Sequence, residues 1–364
     1  MRKFKLTFEL KQHTPLIHFQ SEQTGATLRA TELKPKFDRF ITQELQHIDA
    51  KLYAQYKEII EDETIFPKDK GSNSYKIFIQ NSAINTIETP KAYVNKRKET
   101  DKTAYQAPYF AEASKSVIVS KPIKVTITSF NTKLLELLDA IKDYIFIYEN
   151  FGTRQSKGFG SFLRVDIKPQ EVTTIQQKYY NPIFTLGNAK DYKSAFLTID
   201  EFYKKIKMGI NKPYEKSFLF QYICKEYQFG WEKKFIKNQF PEVIHGEHQP
   251  LVCSQPHDQE FRYIRAMLGL AEHNEFRPQS GKKQVKISST NGIERFKSPL
   301  TFKIFNNQIY VMFNNSYKKL LDEEFIFSLH NHQERLRTPQ EFDMYKFFKF
   351  LEQQELITEL KGNK

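Results

Sequence analysis

Alternating hydrophobic and polar residues predict half-buried strands in the first half of the chain. Residues 4–12 alternate throughout, and residues 117–130 do the same with an interruption at Pro122. Side chains of a strand point alternately to the two faces of a sheet, so each segment predicts a strand with one buried face. Shorter strand candidates lie at residues 75–79 and 162–167.

Two other segments carry hydrophobic residues at helical spacing. The first covers residues 31–60, where Pro35 fits if the helix begins at Lys34 or Pro35. The second follows Asn131, a residue type that caps helices, and ends before Gly152. The resulting order of strand, helix, strand, strand, helix, strand is that of the ferredoxin-like split βαβ unit.

The second half of the chain is less regular but predicts the inner part of a second unit of this kind. Residues 300–313 predict a hairpin that turns at Asn306 and Asn307, because asparagine tolerates the left-handed turn conformation. A helix that begins near Asp258 precedes this hairpin, and a helix capped at Thr338 follows it.

The outer strands of the second unit are predicted at residues 194–199 and 356–360. We therefore expect an N-terminal domain over residues 1–168, a linker over 169–188 and a C-terminal domain over 189–364. The fold class is α+β, with two ferredoxin-like (RRM-like, split βαβ) domains, antiparallel sheets and long loop insertions.

The composition favours an anionic partner. The 364 residues include 56 Lys and Arg against 43 Asp and Glu, a formal charge of +13, which suits nucleic acid. The 19 tyrosines, scattered among lysines, offer rings on which bases can stack. Only Cys224 and Cys253 are present, so neither a zinc cluster nor a disulfide framework is implied. With no signal-peptide pattern or apolar run of spanning length, we expect a cytoplasmic protein.

A glycine-rich, basic loop stands out at residues 151–162. It contains three of the 13 glycines together with Arg154 and Lys157, so a tight bend near an anion is expected. The order Ser-Lys-Gly before a strand does not fit a Walker loop, which needs Gly-Lys-Ser/Thr before a helix. Residues 157–160 resemble the start of the RNA-recognition-motif signature, but that signature belongs on the third strand.

Two interpretations of this loop stay open. Its backbone amides and two cations can hold a phosphodiester, or it can be a structural turn with incidental charge. The candidate RNA-binding residues of the loop are Gly152, Arg154, Lys157, Gly158, Phe159 and Gly160.

Further basic residues extend the candidate RNA interface. Those near the first helix can share a phosphate cleft with the glycine-rich loop or can simply be solvated. The others lie in two charged segments, at residues 88–116 and 280–297, which contact RNA or are mobile loops. These candidates are Arg29, Lys34 and Lys36 near the first helix, Lys96, Arg97 and Lys98 in the first segment, and Arg295 and Lys297 in the second.

The spacing of the histidines does not indicate a metal site. His245, His248 and His257 lack a helical zinc-binding frame, so we expect neither a metal nor a cofactor. His13 or His18 can serve as a general base for RNA cleavage if it lies against a 2′-hydroxyl group.

Three segments together resemble the RAMP superfamily of CRISPR-associated proteins. Residues 13–34 are similar to its opening run of Thr-Pro, glycine and Leu-Arg-x-Thr-Glu-x-Lys. The glycine-rich loop follows the second helix as it does in that superfamily, and residues 295–300 resemble its Arg-x-x-Ser-Pro-Leu segment. Within the superfamily the combination is most similar to the first subunit of the Cmr (type III-B) RNA-targeting complex.

The resemblance implies a role in antiviral defence rather than a reaction. It implies an RNA-binding structural subunit, without catalytic residues, that contacts the 3′ region of the guide RNA, the target RNA, or both. Its partners would be these RNAs and other subunits of a Cmr-type effector complex, with no membrane. The alternatives are a metal-independent endoribonuclease that processes guide RNA and a stand-alone RNA-binding protein.

Overall fold

The computed structural model shows a mixed arrangement of helices and mainly antiparallel sheets. It describes residues 4–18, 27–68, 71, 74–80, 84–89, 114–179, 182–211, 213–244, 260–270, 273–276, 278, 281–293 and 296–360. Two compact units are present. The first comprises residues 1–200, 301–312 and 358–364, and the second comprises residues 201–300 and 313–357.

The strands and helices are numbered in chain order. The strands are β1 (Lys5–Gln12), β2 (Lys76–Gln80), β3 (Ile84–Thr89), β4 (Ser114–Val119), β5 (Ile123–Thr128), β6 (Phe162–Arg164), β7 (Phe184–Asn188), β8 (Ile210–Asn211), β9 (Tyr214–Glu215), β10 (Gly230–Trp231), β11 (Phe261–Arg262), β12 (His273–Phe276), β13 (Lys283–Ser289), β14 (Leu300–Phe305), β15 (Gln308–Phe313), β16 (Glu324–Leu329), β17 (His332–Arg337) and β18 (Thr358–Glu359). The α-helices are α1 (Ala30–Arg39), α2 (Leu45–Ile48), α3 (Ala50–Gln55), α4 (Lys57–Ile60), α5 (Thr132–Tyr148), α6 (Pro169–Tyr179), α7 (Tyr192–Lys207), α8 (Phe218–Tyr227), α9 (Glu232–Gln239) and α10 (Met344–Gln353).

The first sheet of unit 1 follows the predicted alternation. Its strand order is β2-β5-β1-β6, and every neighbouring pair is antiparallel. One face is apolar and is covered by α1 and α5. On that face the ring of Phe8 lies 5.7 Å from the ring of Phe146, which in turn lies 6.4 Å from the ring of Phe37. The opposite face of β1, β2 and β5 carries mostly exposed side chains.

The two helices on this sheet differ in how well their starts were predicted. Asn131 caps α5 as expected, because its side-chain oxygen accepts a hydrogen bond from the backbone N–H of Leu134 at 3.0 Å. The helix predicted from residue 31 begins at Ala30, but the start at Lys34 or Pro35 that would place Pro35 in the first turn is not observed. The backbone N–H of Leu33 already donates to the carbonyl oxygen of Arg29 at 3.0 Å, so the first turn forms before Pro35, which lies inside the helix.

A second four-stranded sheet of unit 1 has the order β14-β15-β7-β18. The predicted hairpin is confirmed, and Asn306 and Asn307 have φ angles of 50° and 59°. The predicted outer strand at residues 194–199 is wrong, because that segment lies in α7. The side chain of Asp191 accepts a hydrogen bond from the backbone N–H of Ser194 at 2.8 Å, which fixes the start of the helix.

The segment predicted as a linker, residues 169–188, contains helix α6 and strand β7. Unit 1 also takes in residues 301–312 and 358–364, which lie beyond residue 300 in the chain. The domain boundaries at 1–168 and 189–364 stay a prediction.

Unit 2 contains a four-stranded sheet of order β12-β13-β16-β17. The helix predicted to be capped at Thr338 begins instead at Met344, with Asp343 as its cap. The hydroxyl of Thr338 is already engaged, because it accepts a hydrogen bond from the backbone N–H of Glu323 at 2.8 Å. The helix predicted from Asp258 begins outside the described residues, and residues 264–268 form a short 3-10 helix. Cys224 on α8 is disulfide-bonded, although two cysteines did not imply a disulfide framework in the sequence.

Candidate nucleic-acid interface

The glycine-rich loop connects α5 to β6 in unit 1. Its three glycines, Gly152, Gly158 and Gly160, have φ angles of 77°, 89° and 66°. A Cβ at Gly160 would lie 1.9 Å from the carbonyl oxygen of Phe151, so no larger residue fits there. Arg154 has a φ of 57°, a left-handed conformation that is uncommon for residues other than glycine.

Backbone amides of this loop are used by the chain itself. The N–H of Thr153 donates to the carbonyl oxygen of Ile17 at 2.7 Å, and the N–H of Gly160 donates to that of Pro15 at 2.8 Å. The N–H of Phe151 donates to the carbonyl oxygen of Gly160 at 3.0 Å. These amides hold the shape of the loop, so RNA contacts at this place would have to come from side chains or from the remaining amides.

Small polar side chains complete this internal network. The hydroxyl of Thr14 donates to the carbonyl oxygen of Gly158 at 2.7 Å and accepts from the backbone N–H of Ser161 at 2.9 Å. The amide group of Asn150 donates to the carbonyl oxygens of Gln155 and Phe302, both at 2.7 Å. The Thr-Pro motif before residue 16 thus has a structural task, which is to tie the end of β1 to the loop.

Two predicted RNA-binding side chains of the loop turn towards protein. Phe159 is fully buried and stacks on Phe196 of α7, with ring centroids 4.2 Å apart. Burial lowers the pKa of Lys157 to about 7, although the negative charge of Asp200 acts to raise it. Phe159 therefore contributes to packing, whereas Lys157 is a half-buried residue whose ammonium group is desolvated.

Arg154 is the second cation of the loop. Its side chain is half-buried, and burial lowers the pKa of its guanidinium group. The residue thus combines a glycine-like backbone conformation with a large cationic side chain, and its predicted contact with RNA stays a prediction.

The first helix contributes one cation to the loop. Lys36 is buried; it pairs with Glu149 and donates to the side-chain oxygen of Gln155 at 3.2 Å. Lys34 instead pairs with Asp38 at 3.3 Å on its own helix and lies 3.7 Å from the ring centre of Tyr75. Arg29, which precedes the helix, is half-buried.

The sequence did not single out Lys303, which lies fully buried on β14 beneath this region. Its ammonium donates to the carbonyl oxygens of Glu149 at 2.7 Å and Phe162 at 3.1 Å, and burial holds its pKa well below the ordinary value. The available signal was a lone charge within the apolar run of residues 300–305.

The remaining candidate RNA-binding residues and histidines differ in where they lie and in how exposed they are. Lys297 is exposed, whereas Lys96, Arg97, Lys98 and Arg295 lie outside the described residues, as do His245, His248 and His257. His18 is buried. Burial, followed by the charges of Lys11 and Lys303, lowers the pKa of His13 to about 3.

Among the residues that the structure describes, no group of His, Cys, Asp and Glu is arranged to hold a metal ion. None of the helices in the same part of the chain combines the length and the apolar character needed to cross a bilayer.

Two family models match nearly the whole chain. The model of the Cmr1 N-terminal domain matches residues 3–210, and that of the Cmr1 C-terminal domain matches residues 214–362. No curated protein matches the chain. Among solved structures, the chain is similar to Cmr1 from Pyrococcus furiosus in its apo form, with 11% identity over 98% of each chain and a TM-score of 0.44. A chain of the type III-B Cmr-beta complex bound to cognate target RNA and AMPPnP, with ssDNA present, has 11% identity over 95% of this chain and 97% of its own, with a TM-score of 0.40.

Proposed function

Because this chain belongs to the Cmr1 family, we propose that it is an RNA-binding structural subunit of a type III-B CRISPR (Cmr) effector complex. The observation that carries the proposal is the match of both family domains, which together span residues 3–210 and 214–362. In this role the subunit contacts the 3′ region of the guide RNA, the target RNA, or both, and assembles with other Cmr subunits in antiviral defence.

The charge of the chain supports RNA as the partner. A formal charge of +13 favours a polyanion, and phosphate contacts supply most of the affinity for one. At the glycine-rich loop we assign the phosphate contact to Arg154, because Lys36 is paired with Glu149 and the ammonium group of Lys157 is desolvated. The other predicted RNA-binding residues remain candidates.

We further propose that the subunit is not catalytic. A general base works best when its pKa lies near the operating pH, and the pKa of His13 is lowered to about 3. If the protein were instead an endoribonuclease, the purified protein should cleave labelled guide precursor. The His13→Ala or His18→Ala variant should then leave the precursor uncleaved.

The strand orders support two ferredoxin-like sheets. The chain order β1-α1-β2-β5-α5-β6 gives the sheet order β2-β5-β1-β6. The order β7-α7-β14-β15-α10-β18 gives β14-β15-β7-β18, which is the same permutation. Each sheet thus has the order expected of a split βαβ unit, with insertions between its elements.

The test is the salt dependence of RNA binding by Arg154→Gly. Glycine accepts a φ of 57° without strain, so the loop should keep its shape while losing the cation. We expect weaker binding to every sequence alike, with the slope of log affinity against log salt shallower by about 0.7 for one lost contact to a single strand. Fluorescence anisotropy with a labelled guide RNA measures both quantities.

Asn307→Gly is the matched control, because Asn307 is exposed and has a φ of 59° but carries no charge. If the salt dependence of RNA binding is unchanged in Arg154→Gly, Arg154 does not contact a phosphate. Failure of the unaltered chain to bind RNA, or to co-purify with other Cmr subunits, would contradict the proposed function itself.

A further inference from the structure

The first sheet of unit 1 has an open face opposite its two helices, formed by β2, β5 and β1. The backbone register aligns three side chains in a row across this face, Phe78 on β2, Thr126 on β5 and Thr7 on β1. Phe78 is 65% exposed, whereas its neighbours Ile77 and Ile79 are half-buried. An aromatic ring therefore lies on a solvent-facing sheet surface, at the edge of the sheet and beside a row of small hydroxyl side chains.

A single exposed phenylalanine needs no explanation, but its surroundings are unusual. Lys76 precedes Phe78 by two residues on the same face, and Lys5 lies in the same row as Lys76 across the intervening strand. Lys124 lies in the row on the other side of Phe78, next to Glu9. The face thus carries three lysines and one glutamate around one ring.

These lysines are exposed, and none of them forms an ion pair with any residue in the described part of the chain. Two lysines on the helices of unit 1 differ from them, since Lys34 and Lys142 are paired with Asp38 and Asp139. Residues two apart on a strand are separated by about 6.6 Å, so the ammonium groups can reach either side of the ring.

We propose that this open face binds single-stranded RNA, with one base stacked on Phe78. An accessible ring bordered by unpaired lysines matches the chemistry of a single strand, in which bases stack and phosphates attract cations. The hydroxyls of Thr7 and Thr126 can hydrogen-bond to base edges or to the 2′-hydroxyl group. The charge favours this occupant over a protein strand, which would leave three lysines facing an uncharged backbone. The proposal rests on the proposed function and adds a surface to it.

The test compares Phe78→Ala with Phe130→Ala in the full chain. Phe130 is 94% exposed and lies beyond the end of β5, which makes it the matched control for loss of an exposed ring. We expect Phe78→Ala to bind a 12-nucleotide oligouridine about tenfold more weakly. Its salt slope should be unchanged because no cation is lost. Phe78→Trp should restore binding and lose indole fluorescence when the RNA is added.

An abasic strand of the same length separates stacking from charge attraction. The unaltered chain and Phe78→Ala should bind this strand equally, since it offers phosphates without bases. Equal oligouridine affinities for Phe78→Ala and Phe130→Ala would overturn the proposal, as would an equal loss with the abasic strand. Loss of Cmr-subunit co-purification with RNA affinity intact would assign the face to a protein instead.

The two proposals fail in different ways. If the Phe78 variants bind RNA normally and Arg154→Gly does not, the open face is wrong and the proposed function stands. If the unaltered chain binds none of the RNAs, both are contradicted.

Discussion

The glycine-rich loop and the open face of the first sheet both carry cations, but they use them differently. In the loop region, Lys36 pairs with Glu149, Lys157 is desolvated beside Asp200, and Lys303 is fully buried. On the open face, the lysines are exposed and form no ion pair with described residues. A basic, glycine-rich segment can therefore be a tightly packed connection whose cations are buried or paired. Lysines at alternating positions of a strand can instead form a cationic surface that stays accessible to a ligand.

The largest expected effect concerns the loop as a structural junction. Gly160→Ala places a Cβ against the carbonyl oxygen of Phe151 at a φ of 66°, and we expect the free energy of unfolding to fall by about 3 kcal/mol or more. Gly187→Ala is the control, because its φ is 99° but a Cβ there meets nothing within 4 Å. We expect that variant to lose about 1 kcal/mol. Urea unfolding measures both, and equal losses would show that the loop is no more tightly built than an open position.

Replacing one cation from each region sharpens the comparison. Lys36→Gln leaves Glu149 paired with the more exposed Arg39 and should lower the free energy of unfolding by about 1 to 2 kcal/mol. Lys124→Gln removes an exposed cation and should change it by less than about 0.5 kcal/mol. Thermal or urea unfolding measures the loss in each variant. Similar losses for Lys36→Gln and Lys124→Gln would contradict the view that the two regions use their cations differently.

A pH dependence of stability is also expected to arise in the loop. Lys157 has a folded pKa of about 7 against an ordinary value of 10.5, so the unfolded chain binds more protons between these values. The free energy of unfolding should therefore rise with pH through this window, by at most about 1.4 kcal/mol per pH unit from one group.

Lys157→Gln should remove this contribution when urea unfolding is compared at pH 7 and pH 9. Asp200→Asn is the companion variant. Because Asp200 opposes the lowering of the Lys157 pKa, its neutralisation should extend the window to lower pH. A slope that is the same in Lys157→Gln as in the unaltered chain would mean that the Lys157 ammonium is solvated.

Local signals in the sequence predicted much of the first sheet. The alternation of residues 4–12 and the capping side chain of Asn131 each depend on neighbours in the chain, and both predictions were confirmed. Asn306 and Asn307 likewise predicted their turn, because the left-handed conformation is a local property.

Predictions failed where a distant partner decides the structure. Thr338 resembles a helix cap, but its hydroxyl accepts from Glu323, 15 residues away, and the helix begins later. Lys36 stays a predicted phosphate contact, but its pairing with Glu149, 113 residues along the chain, could not be read from its own segment. The exposure of Phe78 depends on which face of the sheet the helices cover, so its ring could not be distinguished from a core residue by composition.

Photo-crosslinking tests the central claim most directly, because it locates RNA on the subunit. The full chain is irradiated with a guide RNA containing 4-thiouridine, and adducts are assigned by mass spectrometry. We expect adducts in the peptide that follows Lys76, which contains Phe78, and in the segment around Arg154, with the first set lost in Phe78→Ala. Adducts confined to residues 201–300 and 313–357, or no adducts at all, would contradict an RNA-binding surface on unit 1.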